Sequence, residues 1–398
     1  MLAAILSPIY LVIIYWVCRR WYKFVDTLEI KNKTLRWWLK HFSWSMFIFT
    51  LIIGVAFLLP DTTSLKRPLS QIGSYWLGIS LYLILYVAVI DLIRWVYSKI
   101  KKDKYNNQKA RQICTALIIV LTIATSVYGI INAKIVHTTE YTIYVDKDGG
   151  NFGDEMTIAL FGDPQFGYNI GEAHLKKAVD IINSNNVDLV CIAGDIFDNQ
   201  YSAIKNPDKL IELFNQIESN YGVYAVLGNH DVEEPILCGF TFNDKDISNK
   251  VASDEMLEFI EKSNINLLYD ESVVINDSIT LYGRADEERP NLGNTTRKTT
   301  DEIASEVDDD MPFFVLDHEP REYDELKNIG VDLMMAGHTH DGQLWPTKII
   351  TDIVWTNSYG LYTNDNFQAI TTSGLGLFGP NMRVGTIAEV CIIHVKFK

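Results

Sequence analysis

The 398-residue chain reads as a layered α/β domain preceded by four membrane-crossing helices. Three observations predict this. The first is four apolar stretches, at roughly 2–18, 42–59, 76–97 and 113–132, each about long enough to cross a hydrocarbon core as a helix. The second is charge. Residues 1–133 carry 16 Lys/Arg against 5 Asp/Glu, and the remainder carries 19 against 45, within a net charge of -15. The third is five continuous apolar runs in the second part, separated by amphipathic stretches, as strands covered on both faces require. With 48% hydrophobic and 21% charged residues, the chain is neither disordered nor collagen-like. The acidic second part also excludes long nucleic acid as the main partner, because phosphate backbones are held by Lys and Arg.

The loops between the apolar stretches assign sides. The loop after the first holds Arg19, Arg20, Lys23, Lys31, Lys33, Arg36 and Lys40; that after the third holds Lys99, Lys101, Lys102, Lys104, Lys109 and Arg111. The loop between them has only Lys66 and Arg67. Trp37, Trp38, Trp44, Trp76 and Trp95 stand near the boundaries, as interfacial aromatics do. The positive-inside rule places the two basic loops in the cytoplasm, and the N-terminus and everything after the fourth helix outside. The first ten residues carry no basic side chain, which argues against a signal peptide. Asp91, the one acidic residue in a span, is expected to reach the cytoplasmic interface. Cys18, Cys114, Cys191, Cys238 and Cys391 are scattered, with no disulfide framework and no CxxC site.

The chain divides into a four-helix anchor (1–133), a linker and first strand (134–150) and the α/β domain (151–398). Residues 139–146 alternate with period two, as a strand does. The five apolar runs are 157–161, 187–193, 223–227, 313–316 and 331–336. Between them, Leu175, Ala178, Val179 and Ile182 share one helical face, and Leu210, Ile211, Phe214 and Ile217 another. Asn206 and Pro207 supply an N-cap and a first-turn proline to the second; Ser253 caps a third helix with Met256, Leu257 and Ile260 inward. Residues 272–283 predict a hairpin turning at Asn276-Asp277, and 388–397 a last strand. Asn294-Thr295-Thr296 matches the glycosylation pattern by chance, and the acidic run 308–310 reads as a solvated loop.

A polar block follows each apolar run. They are Gly162-Asp163-Pro164-Gln165, Gly194-Asp195-Ile196-Phe197-Asp198, Gly228-Asn229-His230-Asp231, Asp317-His318-Glu319-Pro320 and Gly337-His338-Thr339-His340. Ligands of open sheets collect at the carboxyl ends of strands, so the five blocks can converge on one spot. The glycine in four of them suits a tight exit from a strand and a close approach to a bound ion. Asp, Asn, Gln and His are metal ligands, and there are enough for two divalent cations about 3.5–4 Å apart sharing a carboxylate and a water. That water would lose a proton near neutral pH, and both ions would hold the oxygens of a phosphoryl group. One histidine or one GD pair means little; five ordered blocks behind five buried runs mean a great deal.

In these blocks the sequence resembles the calcineurin-like metallophosphoesterase superfamily, whose order D-x-H, GD-x-x-D, GNH-D/E, His, GH-x-H is matched here by DPQ, GDIFD, GNHD, DHEP and GHTH. GHTHDGQLWP with the later SGLGLFGPNMRVG looks like the membrane-anchored bacterial branch whose fifth block reads GHTHGGQ. The resemblance covers about residues 138–398 and implies a four-layer αββα sandwich. It implies that Asp163 and His340 bind a first metal, with Gln165 in place of the usual histidine. Asp195 would bridge, and Asn229, His318 and His338 would complete a second site. His230 would sit by the scissile group and Asp231 would hold its tautomer, while Asp198 would orient neighbours. An amide oxygen at Gln165 makes the first site harder, which favours Mn²⁺, with Fe or Mg²⁺ next, over Zn²⁺. Asp341, where the branch has glycine, would alter the pocket floor. Arg383 reads as a phosphate contact or a surface salt bridge.

The resulting expectation is a dinuclear metal-dependent phosphoesterase, held in a bacterial cytoplasmic membrane by several helices, with its catalytic domain extracytoplasmic. Its partners would be the lipid bilayer and a phosphomonoester or phosphodiester: a small molecule, a lipid headgroup or a cell-wall phosphoester. The alternative is a metal-binding membrane sensor or scaffold with little hydrolysis, which Gln165 favours and His230 with Asp195 oppose. A transporter lacks polar intramembrane residues beyond Asp91.

Overall fold

The computed structural model describes residues 2–101, 108–237, 240–241, 250–289, 292–293, 296–307 and 310–398. Lys102, Lys104, Cys238, Asn294, Thr295, Asp308 and Asp309 lie outside the described residues. The chain forms two units. One gathers 1–131 with 236–243 and 379–382; the other gathers 132–235, 244–378 and 383–398.

The first unit contains α1 (Leu2–Thr27), α2 (Lys33–Leu58), α3 (Lys66–Lys101) and α4 (Gln108–Asn132). Each helix outruns its apolar stretch into the neighbouring basic segment, because Lys and Arg are good helix formers and their heads stay solvated. Asn32 starts α2 by accepting the Leu35 amide at 3.0 Å. Among the described residues three helices are long and apolar enough to cross a membrane, α2, α3 and α4. The expectation of four is therefore corrected to three. The described side chains of α1 begin at Ser7, and the rest of the helix carries Arg19, Arg20, Lys23 and Asp26. Asp91 does not reach an interface alone: it accepts a hydrogen bond from Arg20 of α1, with Arg94 at 3.7 Å. Trp76 donates to Thr50 at 2.8 Å and Tyr86 meets Thr125 at 2.6 Å, so polar side chains pair between helices. The short returning segments belong to the same unit. The Asn381 amide meets the Ser74 carbonyl at 3.4 Å, and Met382 packs at Gly78, where an added Cβ would stand 2.7 Å from its sulfur.

The strands in chain order are β1 (Val136–Val145), β2 (Glu155–Phe161), β3 (Leu189–Ala193), β4 (Val223–Val226), the short pair β5 (Ile236–Leu237) and β6 (Phe240–Thr241), β7 (Ile265–Leu267), β8 (Glu271–Ile275), β9 (Ile279–Gly283), β10 (Phe313–Leu316), β11 (Leu333–Ala336), β12 (Gly360–Asn364), β13 (Phe367–Thr371) and β14 (Ala388–Phe397). Two six-stranded sheets result, ordered β1-β14-β2-β3-β4-β7 and β12-β13-β11-β10-β9-β8. The neighbours β2-β3-β4-β7 and β9-β10-β11-β13 are parallel, so the blocks that follow them leave at one edge of each sheet.

Alternate residues on these buried strands divide between two cores. Ile158, Leu160, Leu189 and Cys191 of the first sheet meet Leu281, Phe314, Leu316 and Met335 of the second. Ala159, Phe161, Val190 and Ile192 face the other way, onto α5 (Glu172–Ser184), α6 (Pro207–Phe214) and α7 (Asp254–Lys262). Phe313, Val315 and Met334 pack outward on α8 (Thr300–Ala304) and α9 (Tyr323–Asn328). The architecture is the expected four-layer αββα sandwich. The hairpin turns where expected, with Asn276 and Asp277 both at φ +52, a type I′ pair. Ser253 caps α7 through Met256 N at 3.4 Å. Asn206 makes no side-chain cap on α6; its amide donates to Glu172 at 2.5 Å, while Pro207 does occupy the first turn. Leu281→Ala empties a fully buried site between the sheets. It should lower unfolding free energy by about 2–5 kcal/mol, measured by denaturant titration of the detergent-solubilised chain.

Candidate metal centre

All five polar blocks leave the carboxyl ends of β2, β3, β4, β10 and β11, and hydrogen bonds tie them to each other. Asp163 N donates to Gly194 O and Gln165 N to Asp195 O, both at 2.9 Å. The conformational demand falls mostly on the polar residues and not on their glycines. Asp163, Gln165, Asp195, His338 and His340 have φ between 45 and 70, whereas among Gly162, Gly194, Gly228 and Gly337 only Gly194 is left-handed. Non-glycine residues in that region are strained, and such strain concentrates at functional sites. Gly228 and Gly337 serve close approach: a Cβ there would stand 2.4 Å from Asp195 Oδ1 or 2.6 Å from Asp163 Oδ2.

Donor atoms converge inside this ring of turns. His318 donates through Nδ1 to the Ala193 carbonyl at 2.8 Å, which turns its Nε2 toward Asn229 Oδ1 (3.0 Å), His338 Nδ1 (3.1 Å) and Asp195 Oδ2 (3.4 Å). Asn229 Oδ1 is also 3.1 Å from His338 Nδ1. Asp163, Asp195 and His318 each offer one ligand atom within 4.8 Å of the others, all buried. Asp163 is oriented by the His338 amide at 2.9 and 3.0 Å, and Asp195 by the His230 amide at 2.7 Å. Gln165 donates Nε2 to Asp195 Oδ2 at 3.3 Å, which leaves its Oε1 buried without a partner. Both ring nitrogens of His340 are also buried and unpartnered, with Nε2 3.9 Å from Asp163. Unpaired lone pairs gathered in one cavity fit a cation, and the mix of carboxylate, imidazole and amide suits divalent transition metals.

The electrostatics favour neutral imidazoles at two of the three histidines. At His318 burial pulls the ring down, but Asp195 and Asp163 outweigh it and raise it well above its ordinary value. Burial lifts the Asp163 carboxyl to about 7 against the pull of His318. Burial pushes Asp195 up as well, but His318 and His230 outweigh it and hold that carboxyl below its ordinary range. Burial, with His318 beside it, drops His338 to about 3, and burial with Arg383 takes His340 well below its ordinary value. These two imidazoles are neutral, as ligands must be.

Several expected roles move. Asp231 gives its oxygens to the amides of Phe197 and Gly228, each at 2.8 Å, so it clamps the turn rather than the His230 ring. The carboxylate beside His230 Nδ1 is that of Asp198, at 3.9 Å, lifted by burial to about 6. Arg383 is neither a surface ion pair nor a phosphate contact. It is fully buried and donates to the carbonyls of Ser373 (2.7 Å), Gly374 (3.1 Å), Gly376 (2.9 Å) and His340 (3.4 Å). Asp341 is buried at φ +51 and pairs with Lys348. Sequence reasoning missed Phe378, whose ring meets His230 edge-on at 5.5 Å, and Trp355, 5.2 Å from His338. It also missed Arg284 and Arg297, which hold Asp317 behind His318 at 3.4 and 2.6 Å. Arg284 had a signal: like four of the five blocks, it follows a buried strand and a glycine, Gly283.

An αββα sandwich with two carboxylates, three imidazoles and two amides at its strand ends has the donor set of a possible metal-binding site. Residues 156–342 match the family model of the calcineurin-like phosphoesterases, and this domain belongs to that superfamily. The chain is 25% identical to an uncharacterized metallophosphoesterase of Campylobacter jejuni over 88% of its own length and 90% of the relative's. It is 26% identical to a zebrafish (Danio rerio) transmembrane protein with metallophosphoesterase domain, over 71% of this chain and 62% of that protein. The chain thus spans less than two thirds of the zebrafish relative. A dimetal phosphatase structure from Danio rerio overlaps 55% of this chain and 88% of its own, at 13% identity and a TM-score of 0.33, too loose an overlay to carry weight. If Gln165 is a ligand, Gln165→His should tighten the first metal roughly tenfold or more by calorimetry. Unchanged affinity would place residue 165 outside the ligand set.

Proposed function

We propose that the protein is a membrane-anchored, dinuclear metal-dependent phosphoesterase that hydrolyses a phosphomonoester or phosphodiester at the extracytoplasmic face of a bacterial membrane. One observation carries the chemistry: His318 Nε2, His338 Nδ1 and Asn229 Oδ1 lie 3.0–3.1 Å apart next to Asp195. Asp163, Gln165 and His340 would hold the first cation and Asn229, His318 and His338 the second, with Asp195 available to both. Bound cations supply charge for phosphoryl oxygens and acidify a water. Mn²⁺ suits the set best, because amide and carboxylate oxygens make it harder than an all-imidazole site; Fe, Mg²⁺ and Zn²⁺ are the competitors. His230 stands ready to protonate the departing oxygen, steered by Asp198 on one side and by Phe378 against its ring. The substrate classes that fit an anchored enzyme are lipid headgroups, cell-wall phosphoesters and small phosphoesters near the bilayer.

Orientation follows from charge. Basic residues flank the start of α2 and the end of α3, so three crossings deliver the domain to the outside. This parity is independent of α1, whose status moves only the N-terminus. Alkaline phosphatase fused after Lys398 should be active in an intact bacterial cell, and a fluorescent cytoplasmic reporter at the same point would reverse the assignment.

The purified full chain with Mn²⁺ should hydrolyse p-nitrophenyl phosphate or bis-p-nitrophenyl phosphate, and lose activity on chelation. Asp195→Asn should cut kcat/KM by more than about 100-fold, beyond the usual cost of an outer-shell change. Wild-type rates in that variant would leave the metal-binding scaffold as the better reading.

A further inference from the structure

The helix α10 (Thr347–Val354) is built inside out. At 100° per residue Ile349, Ile353, Ile350 and Val354 fill one arc, and Lys348, Thr351 and Asp352 the other. It is the polar arc that is tied down: Lys348 pairs with Asp341 and, at 3.3 Å, with Asp352, which also accepts from Ser358. The apolar arc faces outward. Ile349, Ile350, Ile353, Val354 and the preceding Trp345 are each 52–79% exposed, and no residue of the helix is buried. A helix of an ordinary domain surface is arranged the opposite way.

We propose that α10 inserts its apolar face into the lipid bilayer and that the metal centre takes a phosphoester carried on a membrane-embedded apolar tail. Two things on this chain single out lipid as the occupant. It carries three helices suited to crossing a membrane. Residues 133–135 alone separate α4 from β1 along the chain. A short helix with aromatic residues at both ends, Trp345 and Trp355, has the composition of an interfacial segment. The connection to the site is direct. The helix begins seven residues after His340, and Trp355 at its end lies 5.2 Å from His338 and 4.6 Å from the Arg321 guanidinium.

The docking claim stands without any hydrolysis; the substrate class rests on the phosphoesterase reading, and two measurements separate them. The first places a benzophenone side chain at position 353 of the full chain in vesicles of phosphatidylethanolamine and phosphatidylglycerol, with position 176 as a water-facing control. Irradiation should give lipid adducts at 353 and none at 176. Adducts to a second copy of the chain, or none, overturn docking. The second compares wild type with Ile350→Ser/Ile353→Ser on phosphatidic acid and phosphatidyl-p-nitrophenol in the same vesicles, and on bis-p-nitrophenyl phosphate in solution. The variant should lose roughly tenfold or more on a vesicle substrate and keep its rate on the soluble one. Equal rates of variant and wild type on both vesicle substrates overturn the tail-bearing class. A wild type inert on every substrate, with lipid adducts still formed at 353, removes the phosphoesterase reading and leaves docking in place.

Discussion

Two imidazole nitrogens and an amide oxygen brought to within 3.1 Å of one another need something positive among them. A proton can serve one pair at a time; a divalent cation serves all three. His318 has already committed Nδ1 to the Ala193 carbonyl, so its remaining nitrogen cannot turn away without leaving a buried donor unpaired. Asp195 is held by the His230 amide and by Gln165, and can no more leave than the histidine can. The rest of the domain is organised around keeping these lone pairs in place.

That organisation is paid for in the backbone. Five polar residues of the blocks adopt left-handed φ, each at a cost of order 1–3 kcal/mol that only a rigid surround can sustain. The surround is two parallel sheet regions with a dry layer between them, and buried side chains that clamp the loops. Arg383 gathers four carbonyls with one guanidinium, including that of His340, and Asp231 fastens two turns through their amides. Gln343 does the same at a smaller scale, giving and receiving hydrogen bonds with the backbone of Phe378 at 2.9 and 2.7 Å. None of these three needs to touch a substrate to matter.

The sandwich and its polar strand ends were legible in sequence because each rests on a local pattern. A continuous apolar run marks a strand covered twice, Asn276-Asp277 marks a type I′ turn, and glycine before a ligand type marks a strand end at which chain segments crowd. What was not legible depends on distance in space. Whether Asp198 or Asp231 faces the His230 ring is decided by turns whose sequences are equally acidic. Arg383 looked like a surface residue because a Gly/Pro-rich loop usually is one, and only the closed fold shows the carbonyls it serves. The span count of three is that of the described residues, within which the apolar run of α1 continues without a break into Arg19 and Arg20, and Arg20 is engaged by Asp91.

The charge split gives the exposed face of α10 its meaning. Beyond residue 133 the chain has 45 acidic residues against 19 basic ones, so the domain cannot use the common electrostatic route to an anionic lipid surface, a cluster of Lys and Arg. The same excess repels a phosphoester until cations reverse the sign locally. Attraction to a membrane must then come from apolar area, and attraction of the substrate from metal. On α10 the only lysine is turned inward to Asp341, and isoleucine is left outside. A basic outer face would have drawn lipid headgroups but also competed with the centre for the phosphoryl group. An apolar face a few residues from His338 and His340 leaves that group to the cations.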